Sequence, residues 1–81
     1  MTLIPREVDG ARFTTKLTYD GTSERVQYVG TAYAGTATTA KAWMIKKLTY
    51  DVSNRLTDVQ WANGDAAFNF VWDLKASYTY S

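Results

Sequence analysis

The chain has 81 residues, a net charge of +1, and neither cysteine nor histidine. That length holds one domain with a thin core, and the two missing residue types remove disulfide frameworks, thiolate and imidazole metal sites and the histidine-based catalytic triads. A near-neutral charge argues against nucleic acid as a partner, and no run approaches the ~20 apolar residues of a membrane helix.

Residues 1–11 read as an extended arm ahead of the domain proper, which spans 12–81. Pro5 cannot donate to a sheet, and Ile4 before it is held extended. The opening "MTLIPREVDG" lacks the basic-then-apolar pattern of a signal peptide, so loss of a leader is not expected. From Arg12 the pattern alternates. Phe13, Thr15, Leu17 and Tyr19 share one side, and Arg12, Thr14, Lys16 and Thr18 the other. Period two over eight residues predicts a half-buried antiparallel strand with its apolar set toward the core.

Asp20-Gly21 supplies a turn that Thr22 and Ser23 lengthen. "ERVQYVGTAYA" is the return arm, with Val26 and Tyr28 on one side and Gln27, Val29 and Thr31 on the other. Gly30 inside it marks a bulge or a close approach of another group to the backbone. Residues 31–40, uncharged and rich in Ala, Thr and Gly, read as an ordered surface loop or a flat edge strand.

"KAWMIKKLTYD" is the third strand. Trp43 and Ile45 are out of phase with Leu48 and Tyr50, and a bulge at Lys46-Lys47 would restore the phase. "VSN" turns the chain and "RLTDVQWAN" returns it, with Val59 and Trp61 on one side. Asn63-Gly64 is the next turn. In "DAAFNFVWDLKASYTYS", Phe68, Phe70 and Trp72 alternate as in a strand, yet Phe68, Val71 and Trp72 also fit one helical face with Asp65 as N-cap. A short helical turn over 66–73 is expected, followed by a last strand over Ala76–Tyr80.

One pentapeptide, Lys-Leu-Thr-Tyr-Asp, occurs twice, ending at Asp20 and at Asp51. Each copy reads as the descending half of a hairpin. Leu and Tyr enter the core side two residues apart, Asp holds the corner through backbone hydrogen bonds, and an Arg follows on the return arm (Arg25, Arg55). The expected architecture is all-β: about five antiparallel strands, two consecutive hairpins and a C-terminal strand, closed as a small barrel or sandwich. Asp20, Gly21, Asp51, Asn63 and Gly64 are its turn residues.

Chemistry is sparse. The carboxylates fall mostly at turns, where a structural role is the default, and a chain this small has little room to build a pocket around a pair of them. "DVSN" lacks the Gly and the distant Glu of a calcium loop, and no Gly-rich phosphate loop follows a strand. No enzymatic activity, metal or cofactor is expected.

Three Trp, six Tyr and three Phe are rich for so thin a core, which points some rings toward a partner. The candidate interaction aromatics are Tyr33, Trp43, Trp61, Trp72, Tyr78 and Tyr80. For each Trp, packing in the core is the competing reading. Exposed rings beside Lys and Arg would also suit a module that recognises glycan or single-stranded nucleic acid.

Two resemblances add to this. "YDVSNRLTDV" (50–59) resembles one unit of the YD repeats of Rhs-type toxin shells, and "YDGTSERV" is an imperfect second copy. Over 41–81, through "IKKLTYD", "QWANGD" and "FVWDLKASYTYS", the chain is similar to small proteins encoded by tailed bacteriophages near their structural genes. Trp61 and the Trp72-Asp73 pair fit that pattern; Leu74-Lys75 departs from the more polar pair expected there. The resemblance implies a virion component: a capsid decoration, a collar, or a tail or fibre accessory. It also implies other virion proteins as partners and carries no catalytic residue. Self-association is expected of such a module, because open strand edges and spare rings need neighbours.

Overall fold

The structure, a computed structural model, describes residues 12–21 and 25–81. The expected arm at 1–11 and the turn-lengthening Thr22 and Ser23 lie outside the described residues. Five strands form one antiparallel sheet: β1 (Phe13–Tyr19), β2 (Val26–Tyr33), β3 (Lys41–Tyr50), β4 (Leu56–Trp61) and the two-residue β5 (Phe70–Val71). The order is β1-β2-β3-β4, with β5 also pairing β3. Two consecutive hairpins are present as expected. The sheet does not close on itself: in place of a barrel or sandwich, a single open layer carries the C-terminal segment on one side.

Register decides which side is which, because directly opposed residues of an antiparallel pair share a face. Phe13, Thr15 and Leu17 oppose Tyr33, Thr31 and Val29. Val29 and Thr31 oppose Lys46 and Met44, and Lys46 and Leu48 oppose Trp61 and Val59. These residues make one face. Thr14, Lys16 and Thr18, with Ala32, Gly30 and Tyr28, belong to the other, as do Ile45 and Lys47.

The core lies on the second face. It consists of Ala32, Trp43, Ile45, Ala62, Phe70 and Trp72, with Tyr28, Tyr78 and Tyr80 packed against it. Three small residues of the sheet, Gly30, Ala32 and Ala62, leave a hollow that two indoles fill. Trp72 lies so close over Gly30 that a Cβ there would sit 2.5 Å from its Cζ3 and 3.2 Å from Trp43 Cε3. Gly30 therefore marks a close approach, and the β1–β2 register passes it without a break. The Trp43 and Trp72 rings are 5.8 Å apart, and the buried Trp43 indole N–H donates to the Ala37 carbonyl (2.9 Å).

Several expectations are corrected. Leu17 and Tyr19 are 46% and 56% exposed, so the apolar side of β1 faces away from the core. No bulge occurs at Lys46-Lys47: β3 keeps its phase there, and Trp43 and Ile45 lie on the face opposite Leu48. Residues 31–33 complete β2, an inner strand, and only 34–40 form turns and loop.

The helical turn is a 3-10 helix at Trp72–Ser77 instead of 66–73, with Val71 in place of Asp65 as its N-cap. Phe70 and Val71 are drawn into pairing with Trp43 and Lys41, and that pairing displaces the helix toward the C-terminus. The last strand shrinks to a bridge between Ala62 and Tyr80. Backbone bonds join Trp61 to Ser81 (3.0 and 3.1 Å) and Asn63 N–H to the Thr79 carbonyl (2.6 Å).

The repeated pentapeptide builds the same corner twice. In both hairpins the register shifts between Thr and Tyr, at Thr18/Tyr19 and Thr49/Tyr50. In both, the Asp N–H donates to the carbonyl of the following Arg: Asp20 to Arg25 and Asp51 to Arg55, each 2.9 Å. In both, the Arg Nε returns a bond to the Asp carboxylate, at 3.2 Å and 3.0 Å. β1 and β3 run in the same direction, so the two corners sit side by side. Arg25 donates to Asn54 Oδ1 (2.9 Å), and the Tyr50 hydroxyl donates to the Val26 carbonyl (2.8 Å). Asn54 takes a φ of 66°, and the Asn63-Gly64 turn has φ of 52° and 67°, the mirror-image turn conformation its sequence predicts.

Candidate functional site

The face of the sheet away from the C-terminal segment is the one extended feature of the described surface that offers chemistry to a partner. β1 contributes Phe13, Thr15, Leu17 and Tyr19. β2 adds Val29, Thr31 and Tyr33, β3 adds Met44, Lys46 and Leu48, and β4 adds Val59 and Trp61. Alternation put these side chains together, since each strand presents every second residue to one side.

At one end, Phe13 and Tyr33 stack with centroids 5.0 Å apart and planes 24° apart. Phe68, from the loop before β5, closes a triangle with them, 5.8 Å from Phe13 and 5.7 Å from Tyr33. Near-parallel rings at such distances attract one another beyond their area burial. The cluster stays accessible: Phe13 is 53% exposed and Tyr33 51%. Toward the β4 side, the Lys46 ammonium lies 5.4 Å from the centre of the Trp61 ring, a cation–π pair that leaves the indole half-buried. Lys46 is the charged residue that the register places in the middle of this face; at the hairpin end Tyr50, next in the β3 alternation, carries the Arg25 guanidinium 4.8 Å from its ring centre, and Arg25 is paired with Asp20 (3.2 Å).

The aromatics singled out from the sequence divide between the two faces. Tyr33 and Trp61 are on the open face. Trp43 and Trp72 are in the core, so neither indole has a free ring to offer a glycan or a nucleic-acid base. Tyr78 and Tyr80 are half-buried on the core side. The Tyr78 hydroxyl accepts from the Val71 N–H (2.9 Å), and the Tyr80 hydroxyl donates to the Lys75 carbonyl (2.7 Å). Burial drives the Tyr80 phenol well above the usual tyrosine range, with Tyr28 and Tyr78 adding to the effect.

Phe13, Leu17, Tyr19, Val59 and Phe68 belong to the open face but were not singled out for it. The signal was present in the alternation of β1 and in the Val59–Trp61 spacing, where it points equally well to a core.

The polar corner of the twin hairpins, Asp20, Arg25, Asp51, Asn54 and Arg55, is occupied with itself. Asp51 accepts from the backbone N–H groups of Ser53 (2.8 Å) and Arg55 (3.0 Å), and from Arg55 Nε (3.0 Å). Its carboxyl is held below the usual range, chiefly by the backbone bond from Arg55. This is a clamp on the turn.

Among the described residues, no group of three or more acidic, Cys or His side chains is placed to hold a metal. No described helix is long and apolar enough to cross a membrane. No protein-family model, curated protein or solved structure matches the chain.

Proposed function

We propose that this chain is a structural component of a tailed-phage particle, a capsid decoration, collar or tail or fibre accessory, and that it acts through protein–protein contacts. The observation that carries the contact role is the uncovered sheet face. It presents Phe13, Leu17, Tyr19, Tyr33, Val59 and Phe68, each 37–56% exposed, with Lys46 in its middle and the Arg25–Asp20 pair at its hairpin end. Large apolar side chains exposed together on one sheet face mark an interaction surface. Aromatic side chains dominate the energetics of such surfaces, and a charge-poor centre is typical of them. The resemblance of residues 41–81 to small tailed-phage proteins supports the particle as the setting.

The test is quantitative mass spectrometry of purified particles from a phage that encodes the chain. The proposal expects the chain at a fixed copy number per particle, and a lower copy number when Tyr33 is replaced by Lys. A chain found only in the soluble fraction of the lysate, with particles complete and infectious without it, would overturn the proposal.

A further inference from the structure

We infer that the open face is covered by a second copy of this chain, the two sheets packing face to face as a twofold sandwich. The inference rests on reading that face as a protein-contact surface, and it names the partner. Three observations favour a second copy over another protein.

The first is area. The rings and aliphatic side chains of the face are about half exposed, and a fully buried ring covers ~150–250 Å². Six such residues offer on the order of 500–600 Å², and the half-buried Val29, Met44, Leu48 and Trp61 add to that. A standard interface takes ~800 Å² from each partner, so the face is of the size that a stable pair of copies uses.

The second is charge. Lys46 is one cation, and the Arg25–Asp20 pair beside Tyr50 is neutralised within itself, so the described face shows no charge pattern by which an oppositely charged partner would be chosen. A mostly apolar surface is complementary to its own copy where a twofold axis keeps the two Lys46 cations apart.

The third is shape. Two twisted sheets pack with inner faces ~10 Å apart and strands ~30° from alignment, and a four-stranded open sheet is half of that arrangement. The described core of each copy holds six buried residues. A chain this short, without disulfides, gains its missing burial by pairing.

Lys46 locates the axis. Two ammonium groups facing each other across it would repel, so the axis passes on the β1–β2 side, near Leu17 and the Thr15–Thr31 pair. Leu17 is then at the centre of the interface and Val52, in the turn at 51–55, is away from it.

The experiment is sedimentation equilibrium of the full chain over a wide concentration range, with Leu17→Glu, Tyr33→Lys and Val52→Glu. The wild type and Val52→Glu are expected at twice the chain mass. Leu17→Glu and Tyr33→Lys should weaken pairing ~100-fold by placing unpaired charges in the interface. Near-UV circular dichroism checks that the variants fold. In the wild type alone, dilution through the transition should expose Trp61 to iodide quenching while Trp43 and Trp72 stay protected.

A wild type that is a single copy at every concentration overturns the inference, as does a pair that persists in both folded face variants. A single-copy chain that is nonetheless built into particles sinks the pairing and leaves the particle role standing. A face-to-face pair that is absent from particles does the reverse.

Discussion

Replacing Gly30 by Ala tests how the core is made. The backbone there has no positive φ, so alanine is conformationally allowed and the whole cost falls on the Trp72 ring. The new Cβ would stand 2.5 Å from Cζ3, nearer still to Cε3, and 3.2 Å from Trp43 Cε3. Ordinary contact needs ~3.5–4.0 Å, so the indole must retreat by roughly 1 Å against a packed core. Overpacking of that kind costs ~1–3 kcal/mol.

If the ring leaves altogether, ~150–250 Å² returns to water at ~25 cal/mol/Å², about 4–6 kcal/mol. The lower chain entropy of alanine returns ~0.5–1 kcal/mol. The ring takes the cheaper course, so the net expectation is a loss of about 1–2 kcal/mol, a sizeable part of the ~4–12 kcal/mol that a chain of this length sustains.

Urea unfolding followed by tryptophan fluorescence measures that loss. Gly21→Ala, whose Cβ meets nothing within 4 Å, is the control and should stay within ~0.5 kcal/mol of wild type. In a Trp72→Phe background the cost of Gly30→Ala should fall by half or more, because the smaller ring leaves room. Gly30→Ala as stable as wild type, or an equal cost in both backgrounds, would refute the packing argument.

Two predictions concern pH. Asp51 has its folded pKa lowered, so its contribution is complete above the ordinary carboxylate value of ~3.9 and is lost as pH falls through the lower folded value. Carboxyl NMR titration should find Asp51 below that ordinary value, and Asp51→Asn should flatten the acid limb of the melting-temperature profile; titration at or above the ordinary value would contradict the turn geometry. Tyr80 has its folded pKa raised, so its contribution is intact below the ordinary tyrosine value of ~10 and drains away as pH rises beyond it. Ultraviolet titration should show a late-ionising phenol that Tyr80→Phe removes, and no such phenol in a folded chain would count against the burial of the Tyr80 hydroxyl.

Much of the strand order was legible because each hairpin carries its own punctuation. Asp20 and Asp51 mark the corners, Asn63-Gly64 marks the next turn, and period two fixes the strands. The choice of buried face was not legible. β1 shows its apolar side through Phe13, Leu17 and Tyr19, the strongest alternation in the chain, yet that side is open. The core formed where Gly30, Ala32 and Ala62 left depth for Trp43 and Trp72, and hollows made by small residues in separate strands do not appear in any single strand's pattern.

The C-terminal segment was misread for a related reason. Phe70 and Val71 fit a helix or a strand equally well, and the free edge of β3 beside Lys41 and Trp43 decided between them. For the candidate surface, Tyr33 and Trp61 were legible as partner-facing rings. Trp43 and Trp72 were not separable from them, since an indole reads the same in a core as on a face.

β3 borders β2 along one edge and, along the other, β5 and then β4. No division of the sheet therefore leaves two parts that both retain a completed β3. Peeling away the second hairpin, or lifting the C-terminal segment, strips the same strand that the first hairpin leans on. The amide protons at the middle of β3, around Ile45, should exchange with solvent only when the whole chain opens, and a nick in the 34–40 loop would release fragments that cannot stand alone.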